Sequence, residues 1–494
     1  MAKVLLINPE TSPAIPKEEA ACPMGLLWMG SYIEQNGHDA VIVSSHDQPD
    51  YLDLIKKEMK GSVFAGLSVM TAQIPQALDI ARFIRENDAD LPIVWGGIHA
   101  TLLPEQTCRN SLVDMAIVGE GEETLLDLVK HFEGRKDVKD VDGIYKFDRK
   151  KNEILATKPR RIFNMDALES VKWGLLDKPI LEKLSKASEG FPVNVGRGCP
   201  HRCSFCVNTA LGGGWRVRSV ENVFKDLEEV RALGVENIKF RDDNFFVNPS
   251  RVEKIVDGML DREFGFKWFA NIRADYLRQG RIGIDLIRKS RDAGWKYASL
   301  GLESGSERVL KILKKDITLE DSMNAANVLG KVSGIVPCFS FMIGIPGETR
   351  EDMLMTVRLI DRIINVCPNA EFFGPQIFRP YPGCELYTTC VKSGWEHPDT
   401  LERWKELLQS GDFYTSADRL PWVKDPDLAE IIIASVPRFK GLRESMKEHR
   451  SSLQKLLTVL LFIDGKVRWK TKYFGFPVEI GLKRRLKSKK RSTE

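Results

Sequence analysis

Cysteine and histidine are scarce in this chain, nine and seven among 494 residues. So few cysteines, unevenly spaced, do not make a disulfide framework. Long apolar runs are missing as well, and none reaches the ~20 residues that a membrane span requires. The N-terminus, Met1-Ala2-Lys3-Val4-Leu5-Leu6-Ile7-Asn8, carries no basic segment, apolar core and cleavage site of a secretory signal, and reads directly as a buried strand. What is present is ordinary for a soluble globular protein: 43% apolar residues, 29% charged residues and a formal net charge of +4. The length exceeds what one hydrophobic core usually supports, so two or three domains are expected.

Three of the nine cysteines stand together in Cys199-Pro200-His201-Arg202-Cys203-Ser204-Phe205-Cys206. An apolar stretch, Phe191–Val195, and a Gly196-Arg197-Gly198 turn precede them. Three soft sulfur ligands at C-x3-C-x2-C spacing can converge on one iron–sulfur cluster and leave one iron without a protein ligand. An iron with an open position can bind and reduce something. The competing readings are a zinc site or buried free thiols. Structural zinc wants four ligands; His201 sits between two of the cysteines, where a short loop cannot easily aim it at the same ion, and no second C-x2-C pair occurs. An oxygen-labile cluster implies a reducing compartment, the cytoplasm.

Residues 1 to about 135 alternate short apolar runs (Val4–Ile7, Ala40–Val43, Val63–Ser68, Ile93–Trp95, Met115–Val118) with amphipathic segments (Leu26–Gln35, Gln73–Glu86, Glu122–Phe132). That pattern predicts a parallel sheet covered on both faces, with ligands beyond the carboxyl ends of its strands. The segment 138–163 reads as a small β-hairpin running into a basic linker. Strand–helix alternation resumes from about 191 to 385, with strands at Ile238–Phe240, Trp268–Ala270, Ala298–Gly301, Cys338–Ile343 and Phe372–Phe378. With the cysteine-bearing strand these make six.

The cysteine loop resembles the cluster loop of the radical S-adenosylmethionine superfamily, whose three cysteines hold a [4Fe–4S] cluster while S-adenosylmethionine chelates the fourth iron. The resemblance implies a partial (β/α)6 barrel with its site at the carboxyl ends of the strands. It makes Cys199, Cys203 and Cys206 the cluster ligands, with Phe205 beside the cofactor. Asp242 and Asp243, in Arg241-Asp242-Asp243-Asn244-Phe245, would accept the ammonium of S-adenosylmethionine. Asn271 and Arg273 follow the third strand; Glu303 would reach the cofactor and Ser304 seat it; Gly344 and Pro346, in Gly344-Ile345-Pro346-Gly347-Glu348-Thr349, would shape the adenine site. Cys384 stands where relatives usually carry threonine. The first region, with Pro23-Met24-Gly25-Leu26-Leu27, Gly96-Gly97-Ile98-His99 and Gly119-Glu120-Gly121-Glu122, resembles the cobalamin-binding domain that precedes many such barrels. Ser68, Gly96, Gly97, His99 and Glu120 are its candidate corrin contacts. The Asp-x-His-x-x-Gly motif that gives cobalt a histidine is absent; His46 is followed by Asp47-Gln48-Pro49. A sheet domain holding no corrin, or a small regulatory ligand, is the alternative.

The expected class is therefore α/β: a Rossmann-like (flavodoxin-like) cobalamin domain over 1–137, a hairpin and linker over 138–190, a radical core over 191–385, and a mainly helical region with a basic tail over 386–494. Trp395, Trp404 and Trp422 could wall the active site or fill a core, and Cys338, Cys367, Cys384 and Cys390 read as buried thiols rather than a second cluster. The apolar run 456–463 and the basic end 481–491 suit an anionic membrane surface on the inner face of the cell membrane, with nucleic acid the less favoured partner.

By resemblance to magnesium-protoporphyrin ester cyclases and hopanoid methylases, the implied activity is C-methylation of a hydrophobic or lipid-like molecule through a 5′-deoxyadenosyl radical. An external flavodoxin- or ferredoxin-like protein would supply electrons. Radical oxidation, cyclisation or C–C coupling without methyl transfer is the first alternative, and a non-catalytic regulator the second. Methylthiolation is disfavoured, since the first domain has only Cys22 and Cys108 for a second cluster.

Overall fold

The computed structural model describes residues 1–12, 22–278, 280–411 and 417–435. The apolar run 456–463 and the basic end lie outside them. Among the described residues no helix is long and apolar enough to cross a membrane.

Two sheets organise the chain. The first contains β1 (Lys3–Asn8), β2 (Asp39–Ser44), β3 (Ser62–Ser68), β4 (Ile93–Gly96), β5 (Met115–Ile117), β6 (Ile144–Asp148) and β7 (Glu153–Ala156). Its order is β2-β1-β3-β4-β5-β6-β7. The first five strands run parallel, and β6 and β7 are added antiparallel at the edge. The chain reverses its direction of travel between β1 and β3, the switch point beyond which ligands bind in doubly wound sheets. The expected hairpin forms, but as β6 and β7 of this sheet and not as a separate unit; a boundary at 137 would cut through the sheet. Alternation across its small exposed face gave no sign of the pairing to β5, which is non-local.

The second sheet holds β8 (Phe191–Val193), then, after the two-stranded ribbon β9 (Gly196–Arg197) and β10 (Arg216–Val217), the strands β11 (Asn237–Phe240), β12 (Lys267–Asn271), β13 (Trp295–Glu303), β14 (Val336–Ile343) and β15 (Glu371–Ile377). Six strands pair in parallel in chain order from β8 to β15, an open partial barrel. Ser219 caps the helix Val220–Ala232 by accepting from the Asn222 N–H. The barrel's apolar filling is aromatic: Trp268 and Trp295 stack with centroids 5.5 Å apart, and Phe246 lies 4.7 Å from Trp295.

One core cluster runs continuously from helix Met24–Gln35 and β6 through Phe163, Trp173 and Ile180 into β8, β11 and the barrel helices. A second cluster packs the other face of the first sheet against the C-terminal helices Glu385–Lys392 and Leu401–Gln409. Trp395, Trp404 and Trp422 are buried in that second cluster, so they fill a core rather than wall a site.

Candidate functional site

The cysteine loop leaves β8 through the β9–β10 ribbon. Cys203 is buried and Cys199 and Cys206 are half-buried. Backbone holds the loop in place: the Ser204 N–H donates to Leu313 O at 2.9 Å, its hydroxyl donates to Ile312 O at 2.8 Å, and the Leu386 N–H donates to Ser204 O at 3.0 Å. Burial pushes the Cys203 thiol up and that of Cys206 to about 11, and each is raised further by its neighbouring thiols. Such thiols become thiolates only with a cation among them. The donor set fits a cluster: the Asn244 amide points Nδ2 at Cys199 Sγ, and the Arg273 guanidinium points Nη1 at Cys203 Sγ, each at 3.8 Å. Hydrogen bonds to cluster sulfurs are a principal means of setting reduction potential. His201, the proposed fourth zinc ligand, instead turns Nε2 onto the Tyr276 hydroxyl at 2.7 Å. Among the described residues no three His, Cys, Asp or Glu side chains close around a single ion.

Strand ends supply the remaining groups. The Asp242–Asp243 pair is split. Asp242 is buried and accepts from the Val195 N–H at 2.9 Å, with burial pushing its carboxyl to about 7. It ties β11 to the approach of the cysteine loop and is not offered to a ligand, which corrects the expectation that both carboxylates meet the cofactor. Asp243 is exposed and accepts from the Gly198 N–H at 3.1 Å. Beside it, Asn244 is buried, its amide nitrogen also donating to Tyr276 Oη at 2.9 Å, while its Oδ1 has no partner. An orphaned buried acceptor next to the cluster loop is the kind of vacancy an ammonium fills. Asn271 donates to Asp242 O, and Arg273 donates to Asp275 and to Lys315 O; both brace the loop.

Glu303 stands at the end of β13 with φ +66°, a left-handed conformation rare outside glycine. Its carboxylate pairs with buried Lys315 at 2.9 Å. A Cβ on Gly301 would lie 2.1 Å from Glu303 Oε1, so the pair lies directly over that glycine. Lys315 Nζ also sits 5.7 Å from the Phe205 ring centroid, between two of the cysteines. Ser304 is buried; its hydroxyl accepts from the Ser306 N–H and meets Thr356 Oγ1. In the loop after β14, Gly344 and Pro346 are buried, the Gly344 N–H donates to Glu348 at 2.6 Å and the Trp422 indole donates to Gly344 O at 2.7 Å. Lys315 escaped the sequence reading, because Lys314-Lys315-Asp316 looks like a solvated charge run. Left-handed backbone at both Lys314 and Asp316 folds it inward.

At the carboxyl edge of the first sheet lies a cleft of about 420 Å³. Asn8, Gly66, Ser68, Gly96, Gly97 and Glu120 line it together with Met24, Trp28, Met29 and Met70. A Cβ on Gly97, where φ is +88°, would come within 2.7 Å of Val69 N, so only glycine lets the backbone approach there. Strand ends at the switch point, thioethers, and the buried, unpartnered indole N–H of Trp28 suit a flat ring with amide arms. His99 is not part of this lining. It is fully buried between Thr71, at 3.1 Å, and Gln106, at 3.3 Å, edge-on to Trp404, and burial pushes its imidazole down to about 4. It is a satisfied core histidine, a correction that the loop sequence could not have revealed. Cys367, Cys384 and Cys390 are buried and Cys338 is half-buried, and none of the four forms a disulfide.

Comparison with known proteins follows the same division. Residues 193–360 match the radical SAM superfamily and residues 19–129 the B12 binding domain. An uncharacterized methyltransferase of Pyrococcus horikoshii is 28% identical over 403 residues, 79% of this chain and 83% of that one. The anaerobic magnesium-protoporphyrin IX monomethyl ester cyclase of Synechocystis sp. is 26% identical, the match spanning 66% of each chain. In fold, the cobalamin-dependent S-adenosylmethionine radical enzyme OxsB superposes with a TM-score of 0.72 at 18% identity, over 95% of this chain and 72% of that one. The chain thus joins a B12-binding domain to a radical SAM domain and is a cobalamin-dependent, methyltransferase-like radical SAM enzyme that uses a [4Fe–4S] cluster and S-adenosylmethionine.

Proposed function

We propose that the protein C-methylates an unactivated carbon of a hydrophobic or lipid-like substrate. The observation that supports this best is the make-up of the corrin cleft: Asn194 and Arg197, from the ends of β8 and β9 that lead into the cysteine loop, and Arg241, directly after β11, complete its lining. Its first-sheet side is rich in Leu, Ile, Met and Trp, which favours apolar partners. When bound, the cluster and S-adenosylmethionine supply a carbon-centred radical and cobalamin a transferable methyl group.

The chain's residues bind and orient. Cys199, Cys203 and Cys206 hold the cluster; Asn244 and Arg273 donate to the sulfurs. Asp243 and the free Asn244 carbonyl oxygen accept the ammonium of S-adenosylmethionine. Glu303, held by Lys315, with Phe205, Ser304, Gly344 and Pro346, seats the rest of that molecule, while Ser68, Gly96, Gly97 and Glu120 face the corrin. A flavodoxin- or ferredoxin-like protein supplies electrons, and the basic end 481–491 docks on an anionic membrane surface.

Anaerobically reconstituted protein should cleave S-adenosylmethionine under strong reductant and Cys203→Ala should not; cleavage that survives the change removes the site assignment. Product from a hydrophobic extract should carry deuterium from methyl-labelled S-adenosylmethionine. A second reading, ring-forming oxidation without methyl transfer, is favoured by the similarity to the ester cyclase and predicts unlabelled product. Unchanged sedimentation with anionic liposomes after removal of residues 481–494 would dismiss electrostatic docking through the basic end.

A further inference from the structure

Arg197 is the last residue of β9, two positions before Cys199, and its guanidinium reaches across to the first domain. Nη1 donates to Glu120 at 3.1 Å and Nη2 to Glu122 at 2.7 Å. Its face lies 4.5 Å from the Trp28 ring centroid. Glu120 in turn accepts from Arg216 on β10, the partner strand of β9, and from the Phe163 N–H at 2.9 Å. Glu120, Glu122, Trp28 and Arg197 all line the corrin cleft. One fork therefore joins the turn after β5, the N-terminal end of helix Glu122–Phe132 and helix Met24–Gln35 to the ribbon that launches the cysteine loop.

The electrostatics make the fork hard to replace. Glu122 is only 3% exposed, and Arg197 Nη2 is its ion-pair partner at 2.7 Å. Without Arg197, Glu122 would be a buried, uncompensated charge in the wall of the cleft. A lysine could meet one carboxylate at a time as a point charge but could not span both.

We propose that Arg197 is a positioning residue that sets the corrin cleft and the cluster loop in one fixed relation, so that disturbing it loosens corrin binding and the spacing of corrin and cluster together. The inference rests on the cofactor placement proposed above. It predicts that Arg197→Lys and Glu120→Gln, reconstituted as full chains, retain the iron content of the parent protein, because all three cysteines remain. Both should bind cobalamin roughly tenfold more weakly, the fold-change that one charge-assisted hydrogen bond is worth.

Pulsed EPR on samples holding cob(II)alamin and reduced cluster should show a broadened distance distribution between the two centres in both variants. Lys289→Gln, which removes a surface pair with Glu253 and Asp257, should leave both measurements at the parent values. Parent-like affinity and distance width in Arg197→Lys would overturn the proposal. A parent protein that takes up no cobalamin, or assembles no cluster, would instead overturn the placement on which it rests.

Discussion

Glu348 offers a quantitative test of the loop after β14. Its side chain is 4% exposed. Oε2 accepts from the Gly344 and Ile345 N–H groups, and Oε1 has no hydrogen-bond partner. Burial outweighs those two bonds and pushes the carboxyl from its ordinary 4.5 to about 8. Between those pH values the folded protein keeps a proton that the unfolded chain releases, so stability falls as pH rises and levels off above 8. At ~1.36 kcal/mol per pH unit the full loss is of order 5 kcal/mol. Glu348→Gln keeps the acceptor for both N–H groups, replaces an unpartnered O–H by an unpartnered N–H, and cannot titrate. The two proteins should therefore be close in stability at pH 5, and the variant should gain steadily until it is clearly the more stable at pH 8.5. Other titrating groups cancel in the difference. Thermal unfolding followed by calorimetry from pH 5 to 8.5 measures it, and parallel curves for the two proteins would refute the reasoning.

Three further outcomes follow from the same site. Lys315→Met leaves Glu303 buried without its cation and should cost about 3–5 kcal/mol of stability, together with S-adenosylmethionine affinity, read by calorimetric unfolding and titration; unchanged values would remove the pair from the site. Gly305→Ala places a Cβ 2.3 Å from Met355 O, a backbone atom that cannot step aside; it should displace Ser304 and Glu303 and weaken S-adenosylmethionine binding while iron content holds. Arg273→Gln removes a cation and donor from Cys203 Sγ and should shift the cluster potential to more negative values in an EPR redox titration, since positive charge favours the reduced form.

Local pattern carried much of this fold into view. Val63–Ser68 and Ile93–Trp95 are continuous apolar runs because both faces of a parallel sheet are covered, and they form β3 and β4 over nearly those residues. What local pattern could not convey was which way a strand-end side chain turns. Asp242 and Asp243 are adjacent and chemically identical, yet one is locked to backbone and the other exposed. Alternation alone distinguishes them, and only once the strand's inner face is known. His99 is similar: a histidine after Gly96-Gly97 reads as a ligand-facing loop residue, whereas the chain turns there into helix Ile98–Leu102 and carries the ring into the core. Lys315 and Arg197 find their partners 12 and 77 residues away. Such pairings are set by tertiary geometry, and spacing along the chain holds no trace of them.

The contact between the two sheets divides its labour. Apolar residues from Leu26 and Trp28 through Phe163 and Trp173 to Phe191 and Val193 provide the buried area, and such contacts are tolerant of small slips because dispersion and hydration are not directional. Register comes from the arginines. Arg197 and Arg216 cross to the first domain and converge on Glu120; Arg218, fully buried, ties the intervening segment to the barrel by donating to Met165 O and Leu168 O and pairing with Asp226; Arg251, within the barrel, holds that arrangement by donating to Val195 O and Arg218 O. Planar forks of this kind accept one geometry and lose several bonds at once when shifted. An enzyme that must present two cofactors to one substrate needs that intolerance more than it needs added stability, because misplacement by a single ångström can cost a factor of about 100 in rate. The charged seam lies where the cleft meets the cysteine loop, and the apolar seam lies behind it.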